Sequence, residues 1–201
     1  MRRIVIVDYG LGNLRSVFRG LEKSGARPVI TFDSEEIAAA DAIVLPGVGA
    51  FRDGMEQIGE MQQILTEAAG SVPMLGICLG MQMLLEWSEE HGLHAGLGII
   101  PGTVRRFQGS PGYKIPHMGW NSLESPMTDH PLMKGIREGS YVYFVHSYYA
   151  DTRAENTLTS TTYTRSFASS ITSGNVHGVQ FHPEKSGATG LRILENFIGL
   201  I

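Results

Sequence analysis

The first 90 residues alternate between short apolar strands and amphipathic helices, and this alternation constrains the fold more than any other feature. A β-branched run, RRIVIVD, ends at Asp8 and is followed by the turn residues YGLGN, which is typical of a buried strand. Four apolar residues then recur at helical spacing, namely Leu14, Val17, Phe18 and Leu21. They predict an amphipathic helix that ends near Gly25.

The same alternation continues along the chain. RPVITF, DAIVLPG and VPMLGI predict three more strands. SEEIAAA and residues 51–70 predict the helices between them, although Gly54 and Gly59 weaken the second of these. LGMQMLLEWSEE predicts a helix after the fourth strand. Strands that alternate with helices form a parallel sheet covered on both faces, so the predicted fold class is α/β.

Beyond residue 98 the sequence changes character. Short segments rich in Thr, Tyr and Val are separated by turn residues, namely GTVRRF, WNSLE, YVYFVHSYYA, NTLTSTTY and FASSITSG. They predict antiparallel strands added to the same sheet. NVHGVQF predicts a last strand, and a final helix is indicated by an apolar stripe at Leu191, Leu194, Phe197, Ile198 and Ile201. Because no repeat or linker interrupts the chain, residues 1–201 are interpreted as one domain.

Composition excludes several classes of partner. The net charge is -4 and no basic block is present, which argues against nucleic acid and anionic membranes. The apolar run near the N-terminus is only four residues long and meets Asp8, so we do not expect a signal peptide. The longest apolar segment, MLGICLGMQMLLEW, is 14 residues, too short to span a membrane. A single cysteine favours a reducing cytoplasm.

That single cysteine, Cys78, lies where the fourth predicted strand meets a helix. Gly76 and Gly80 flank it in the pattern G-x-C-x-G, the thiol version of a nucleophile elbow. A tight turn needs these glycines, because a Cβ at either position would collide with neighbouring backbone. The helix N-terminus favours the thiolate, and the backbone N–H of Leu79 becomes free to bind an oxyanion. The alternative interpretation is a buried, inert cysteine.

A candidate base follows about a hundred residues later. His182 and Glu184 flank Pro183 at the end of an apolar strand, and Pro183 holds His182 extended. In a parallel sheet the carboxyl ends of the strands form one edge, where ligands bind. We therefore predict that His182 takes the thiol proton and that Glu184 holds the imidazole tautomer. An exposed turn with a surface His–Glu pair is the alternative.

These motifs resemble those of a known family. GICLGMQ at 76–82 and His182-Pro183-Glu184 are similar to the triad segments of class I glutamine amidotransferases. Five segments together narrow the resemblance to the glutaminase subunits of imidazole glycerol phosphate synthases, namely DYGLGN, PGVGAFRDGM, PHMGWN, YFVHSYY and FHPEKSG. Their order and spacing agree along essentially the whole chain.

The resemblance implies both a fold and a reaction. The fold is flavodoxin-like, with a mostly parallel central sheet flanked by helices and extended by antiparallel strands. The reaction is hydrolysis of glutamine to glutamate and ammonia by the triad Cys78, His182 and Glu184, with no metal or cofactor. The ammonia passes to a cyclase subunit of the (β/α)8 barrel type, which forms imidazole glycerol phosphate and an aminoimidazole carboxamide ribotide in histidine biosynthesis. Such a barrel takes roughly 250 residues, so we expect it on another chain, in a heterodimer.

The turn PGVG is expected to complete an oxyanion site together with Leu79. Glycines on both sides of Val48 allow its peptide to rotate. Our hypothesis is that the Val48 N–H points away in the resting state and turns inward, through Gly49, when the partner binds. The alternative is a simple strand-to-helix turn.

Further roles are implied only by the resemblance. Glutamine binding is assigned to Gly47, Gln82, His146, Ser147 and Tyr148. Contact with the synthase subunit is assigned to Asn13, Pro116, His117, Met118, Trp120 and Asn121. On periodicity alone, Gln82 is equally well a solvent-facing helix residue, and Trp120 is either an interface anchor or folded onto the core.

Three other functions compete with this hypothesis. The chain is alternatively the glutaminase of another synthase, of the pyridoxal phosphate or anthranilate type, although PHMGWN and FHPEKS disfavour this. A cysteine peptidase or related hydrolase on the same elbow is disfavoured by Gln82 and the PGVG turn. A catalytically silent regulatory protein is disfavoured by the intact Cys78, His182 and Glu184.

Overall fold

The computed structural model describes residues 2–201 and shows a mixed sheet with helices on both faces. The strands of the first half are β1 (Ile4–Val7), β2 (Pro28–Thr31), β3 (Ala42–Gly47), β4 (Met74–Cys78), β5 (Leu85–Ser88) and β6 (His94–Ala95). Those of the second half are β7 (Ile100–Arg106), β8 (His117–Ser122), β9 (Tyr141–His146), β10 (Tyr148–Asp151), β11 (Thr157–Thr162), β12 (Ser166–Ser173) and β13 (Val176–Val179).

The helices are α1 (Leu14–Lys23), α2 (Ser34–Ala38), α3 (Phe51–Ile58), α4 (Met61–Ala68), α5 (Leu79–Met83) and α6 (Gly187–Ile198). Short 3-10 helices cover Pro131–Met133, Ala154–Asn156 and Pro183–Lys185. None of the described helices is long and apolar enough to cross a membrane.

The main sheet has the order β2-β1-β3-β4-β13-β12-β10-β7-β5-β6, with β11 added beside β12. The pairs from β2 to β13 are all parallel, which confirms the predicted α/β core. β12 pairs antiparallel with β13, and β10 pairs antiparallel with β12 and β7. The last strand therefore inserts beside β4 and brings the carboxyl ends of β3, β4 and β13 to one edge of the sheet.

Burial of the central strands explains their continuous apolar runs. Every residue of β1 and β3 is buried, and alternate side chains enter two separate cores. Ile4 and Ile6 pack with α1 and α6 on one face, whereas Val5 and Val7 pack with α2 to α5 on the other. A strand covered on both faces has no polar side to alternate with, so its sequence is apolar throughout.

The predicted boundaries of three helices were wrong. The helix predicted over LGMQMLLEWSEE ends at Met83, because the segment after it pairs as β5 with β7 instead. Residues 51–70 form two helices that part at Gly59, whose φ of 44° ends α3. The final helix ends at Ile198, so Ile201 lies outside it.

The prediction that all the antiparallel strands are added to the main sheet was wrong for two of them. β8 and β9 pair with each other in a separate two-stranded sheet. The segment YVYFVHSYYA divides at Ser147, so that its first half is β9 and its second half is β10 of the main sheet. Val142 and Phe144 of β9 are buried in the core that contains α6. The two-stranded sheet is therefore packed against the main body of the protein through the buried side chains of β9.

The close approach of α5 to β3 generates a stability prediction. A Cβ at Gly80 of α5 would overlap the carbonyl oxygen of Leu45 in β3, and both groups belong to rigid elements. We expect Gly80→Ala to lower the free energy of unfolding by about 3 kcal/mol, since overpacking of a core strains the backbone. Urea denaturation measures the change. Gly70→Ala is the matched control, because its Cβ would come no closer than 4.0 Å to another atom. Equal stability of the two variants would contradict the prediction.

Candidate active site

Cys78 occupies a strained turn between β4 and α5. It is the last residue of β4 and precedes the first residue of α5, with φ 55° and ψ -109°. A positive φ is uncommon for a residue with a side chain, and such strain is concentrated at functional sites. A Cβ at Gly76 would lie 2.7 Å from the Met81 nitrogen, and one at Gly80 would overlap the Leu45 carbonyl. The predicted elbow is therefore present, and both flanking glycines are sterically required.

His182 and Glu184 reach the same edge of the sheet through β13. Val179 of β13 lies opposite Ile77 of β4, so the chain arrives at His182 just beyond the end of β4 that carries Cys78. The 3-10 turn after His182 then folds Glu184 back, and its Oε1 lies 2.8 Å from His182 Nδ1. Both side chains are almost completely buried. The structure thus brings together three residues that the sequence separates by about a hundred positions.

The electrostatics of His182 favour its protonated form. Burial lowers its pKa, but contacts with the Cys78 thiol and the Glu184 carboxyl more than offset burial and raise the pKa to about 9. His182 Nδ1 donates its proton to Glu184, so the other ring nitrogen is directed elsewhere. Nε2 is buried and has no hydrogen-bond partner of normal geometry in residues 2–201. This arrangement leaves a nitrogen able to exchange a proton with Cys78 or with a bound substrate.

A cavity of about 400 Å³ opens at this edge of the sheet. Its volume lies within the range of about 300–1,000 Å³ that is usual for small-molecule sites. Cys78 and His182 both line it. The other lining residues are Val48, Gly49, Leu79, Gln82, Glu90, Pro116, Val145, His146, Ser147 and Tyr148. Most of the residues predicted for the oxyanion and glutamine sites are thus gathered around the thiol.

Gly47 differs in position from the other residues that were predicted to bind glutamine. It is buried beneath the elbow and is not among the residues that line the cavity. A Cβ there would lie 2.9 Å from the Gly80 nitrogen and would overlap the hydroxyl of Tyr9, which donates to the Pro46 carbonyl at 2.5 Å. Burial, assisted by the nearby Cys78, raises the pKa of Tyr9, so this hydroxyl stays protonated and remains a donor. Gly47 lets the PGVG turn sit close to α5.

The PGVG turn carries the other oxyanion candidates at the rim of the cavity. Val48 is 41% exposed, and Gly49 has a φ of +112°, which is unfavourable for a residue with a side chain. A Cβ at Gly49 would meet no atom within 4 Å. Backbone conformation rather than space is therefore what requires glycine at this position.

Gln82 is not the solvent-facing residue that periodicity allowed. It is 6% exposed, and its Nε2 donates to the Tyr148 carbonyl at 3.1 Å and to Gln180 Oε1 at 3.0 Å. Gln180 in turn places its Nε2 3.7 Å from Cys78 Sγ. Gln180 was not predicted from the sequence, because an amide at the end of an apolar strand carries no distinctive spacing.

Glu90 was also missed. Its Oε2 accepts a hydrogen bond from the backbone N–H of Phe51, the first residue of α3, at 2.7 Å, and the residue lines the cavity. It lies in the acidic segment SEEHG, which was interpreted as the end of a helix. Only the turn of the chain after β5 brings this carboxylate to the cavity, so no local signal identified it.

His146 lines the cavity, but both of its ring nitrogens are occupied. Nδ1 faces the Tyr148 carbonyl at 2.7 Å and must therefore be the protonated nitrogen that donates. Nε2 then accepts from His117 Nδ1 at 2.9 Å. Burial lowers the pKa of His146 to about 3 and that of His117 to about 4, so both rings are neutral at neutral pH.

The residues predicted to contact a partner fall into three groups, which are exposed, buried and half-buried. Met118 and Trp120 of β8 are 62% and 55% exposed, and Pro116 is exposed beside the cavity. His117 points the opposite way and is buried, so its side chain does not reach the surface. Asn121 donates to the Thr162 carbonyl at 3.0 Å, and Asn13 is half-buried at the start of α1.

Comparisons with known proteins show which family the sequence is similar to. The model of the family described as glutamine amidotransferase class-I matches residues 5–200. The imidazole glycerol phosphate synthase subunit HisH of Methanosarcina acetivorans is 58% identical over 201 residues, covering 98% of this chain and 98% of the relative. The protein of the same name from Bacillus cereus is 48% identical over 201 residues, covering 98% of this chain and 95% of the relative.

Solved structures share the fold at much lower identity. PurLQS from Thermotoga maritima has a TM-score of 0.75 at 19% identity, covering 98% of each chain. The glutaminase domain of CTPS from Trypanosoma brucei has a TM-score of 0.67 at 18% identity, covering 100% of this chain and 95% of that one. These similarities concern the fold alone. Because the family model matches nearly the whole sequence, the chain belongs to the class-I glutamine amidotransferase family.

Proposed function

We propose that the chain acts in the cytoplasm as the glutaminase subunit of an imidazole glycerol phosphate synthase. It hydrolyses glutamine to glutamate and ammonia and delivers the ammonia for histidine biosynthesis. The observation that carries this proposal is the juxtaposition of Cys78, on a strained elbow, with the His182–Glu184 pair beside one cavity. The full-length similarity to subunits of that synthase supports the choice of reaction.

Cys78 is the proposed nucleophile. The proton of its thiol passes to Nε2 of His182, which forms a thiolate–imidazolium pair, and the thiolate then attacks the side-chain amide carbon of glutamine. The imidazolium that forms is stabilised by Glu184, which accepts the Nδ1–H hydrogen bond at 2.8 Å. When the tetrahedral intermediate collapses, His182 returns a proton to the nitrogen that leaves as ammonia. Water, activated by the same imidazole, then hydrolyses the glutamyl thioester.

Two backbone N–H groups are proposed to bind the oxyanion of that intermediate. Leu79 supplies one, because it follows the nucleophile at the N-terminus of α5. Val48 supplies the second after rotation of its peptide with Gly49. Losing one such donor costs about 10²–10³ in rate, so this rotation switches activity between low and high states.

The cavity offers complementary groups for the rest of glutamine. The two N–H groups of Gln82 are already used, so its Oε1 remains as an acceptor. The Glu90 carboxylate suits the α-ammonium group, while the hydroxyls and backbone at Ser147 and Tyr148 suit the α-carboxylate. We assign His146 a supporting role here, since its ring nitrogens are occupied.

The partner is proposed to be a cyclase subunit with a (β/α)8 barrel. Ammonia released into water is rapidly protonated to ammonium, which is not nucleophilic, so a useful donor must pass it on within a protein. The exposed apolar side chains of Met118 and Trp120, close to Pro116 at the cavity, form a suitable contact surface.

Removing the nucleophile or its supporting carboxylate tests the reaction. We expect Cys78→Ala to abolish glutamate release from glutamine, and Glu184→Gln to lower kcat by about 10²–10⁴, because the tautomer of His182 is no longer held. Glutamate is measured by a coupled dehydrogenase assay in the presence of the partner subunit. The matched control is His177→Asn, a buried histidine at the amino end of β13. Glutamate release that survives in Cys78→Ala would refute the proposed mechanism.

The charge state of His182 provides a second test. The thiol raises the pKa of His182, so Cys78→Ala should lower that pKa from about 9, while Glu184 continues to hold it above the value that burial alone would produce. The wild-type ring is therefore charged at neutral pH, and a larger fraction of the variant ring is neutral in the slightly alkaline range. Imidazole chemical shifts followed by NMR across that range measure the change. A His182 pKa that is unchanged or raised in Cys78→Ala would contradict the contact between the His182 ring and the Cys78 thiol.

A substitution at Gly49 tests whether rotation of the Val48 peptide switches the activity. Gly49→Ala disfavours the φ of +112° without any steric clash, so it displaces the PGVG turn from its observed conformation. We expect the ratio of the glutaminase rates with and without the partner to fall by about tenfold or more. Gly25→Ala is the matched control, with a φ of +92°, open space and a position at the amino end of β2. A ratio that stays at the wild-type value in Gly49→Ala would eliminate the switch.

A further inference from the structure

Gln180 is a buried polar side chain that the proposed mechanism does not use. It is 0% exposed and lies between β13 and His182, with its backbone N–H donating to the Ser169 carbonyl at 2.9 Å. Its side chain turns towards the nucleophile, where Nε2 lies 3.7 Å from Cys78 Sγ. A buried amide is costly unless its hydrogen bonds are satisfied, so this placement needs a reason.

Gln82 decides which end of the Gln180 amide faces the sulfur. Gln82 Nε2 donates to the Tyr148 carbonyl and to Gln180 Oε1, at 3.1 Å and 3.0 Å. The oxygen of Gln180 is therefore the acceptor in this contact. Its NH₂ group is left to face Cys78, because a flipped amide would place two donors against each other.

Three other polar groups lie near the sulfur, namely the His182 ring, the Tyr9 hydroxyl, which donates to the Pro46 carbonyl, and the Val145 carbonyl. Cys78 Sγ lies 3.9 Å from the Val145 carbonyl oxygen, which can receive the S–H proton but would repel a thiolate. Gln180 therefore supplies a neutral donor that suits the ionised sulfur, in addition to the His182 ring once that ring has taken the thiol proton. Hydrogen bonds to ionised acceptors are shorter and about twice as strong as neutral ones, so this contact strengthens when the thiol loses its proton.

We propose that Gln180 is a positioning residue for the nucleophile, which aims the Cys78 sulfur and stabilises its thiolate through an amide N–H that Gln82 holds in place. The role of the thiolate in turnover rests on the proposed glutaminase function, but the effect on the sulfur does not. Gln82 thus has two tasks, since it contacts the substrate cavity with its oxygen and orients Gln180 with its nitrogen.

Alkylation of Cys78 tests this inference without glutamine. Gln180→Met keeps the length of the side chain and removes the donor, so the midpoint of the pH profile of iodoacetamide alkylation should move up by about one pH unit. Gln82→Met should move it in the same direction by less, because Gln180 remains but is free to flip. We expect kcat for glutamate release to fall by about tenfold in Gln180→Met, with KM changed less than about twofold.

Two controls separate this effect from loss of folding. His177→Leu removes another buried hydrogen bond, to Thr172, three residues before Gln180, and should lower the melting temperature without moving the alkylation midpoint. Gln180→Asn retains a buried amide but moves it away from the sulfur. If Gln180→Met does not fold, the alkylation midpoint of Gln180→Asn tests the inference instead. In the unmutated protein, the side-chain amide signals of Gln180 should shift in NMR spectra over the pH range in which alkylation rises.

The outcomes are distinct. An upward midpoint in folded Gln180→Met or Gln180→Asn, with His177→Leu unchanged, supports the inference even if the wild-type protein releases no glutamate, a result that would overturn only the proposed function. The inference would be overturned by an alkylation midpoint in the folded variants equal to that of the wild type. It would also be overturned if the Gln180 amide signals did not shift over the pH range in which alkylation of Cys78 rises.

Discussion

The structure depends on the backbone-to-backbone contact of α5 with β3 and β4. Gly76 and Gly80 leave no room for a Cβ, so the chain turns sharply enough to hold Cys78 at a positive φ. This turn places the sulfur at the N-terminus of a helix and at the carboxyl edge of a parallel sheet. β13 inserts beside β4, and the same edge then receives His182 and Glu184. Strain at one residue is thus sustained by close packing of the elements around it.

Burial shapes the chemistry of the site in two opposite ways. At His117 and His146, burial without a carboxylate keeps both rings neutral, and a one-directional chain of hydrogen bonds assigns their tautomers. At His182, a carboxylate and a thiol outweigh burial, and the ring holds a proton more tightly than it would in water. The same side chain therefore serves as a fixed support in one position and as a proton carrier in another, and its neighbours decide which.

Much of the fold could be predicted because local patterns and tertiary packing agree. The central strands are apolar throughout because both faces are covered, and the elbow glycines are visible in the sequence because close approach permits no other residue. Prediction failed where a segment had two acceptable local structures. The run after Met83 is apolar enough for a helix, yet it pairs with β7 as a strand. β9 pairs with β8 in a separate sheet and packs its buried side chains against α6. Long-range pairing and burial decided those cases, and neither leaves a local pattern.

The sequence alone determined the α/β architecture, the nucleophile elbow and the candidate base, since each depends on residue types at short, characteristic spacings. Only the tertiary structure decided which polar groups meet the sulfur and the cavity. Gln180 reaches the site because β13 ends beside β4, and Glu90 reaches it through the turn after β5. Gly47 instead packs against α5 below the cavity, and the side chain of His117 is buried away from the surface. The direction of a side chain and the identity of its neighbours arise from packing in three dimensions, which spacing along the chain does not encode.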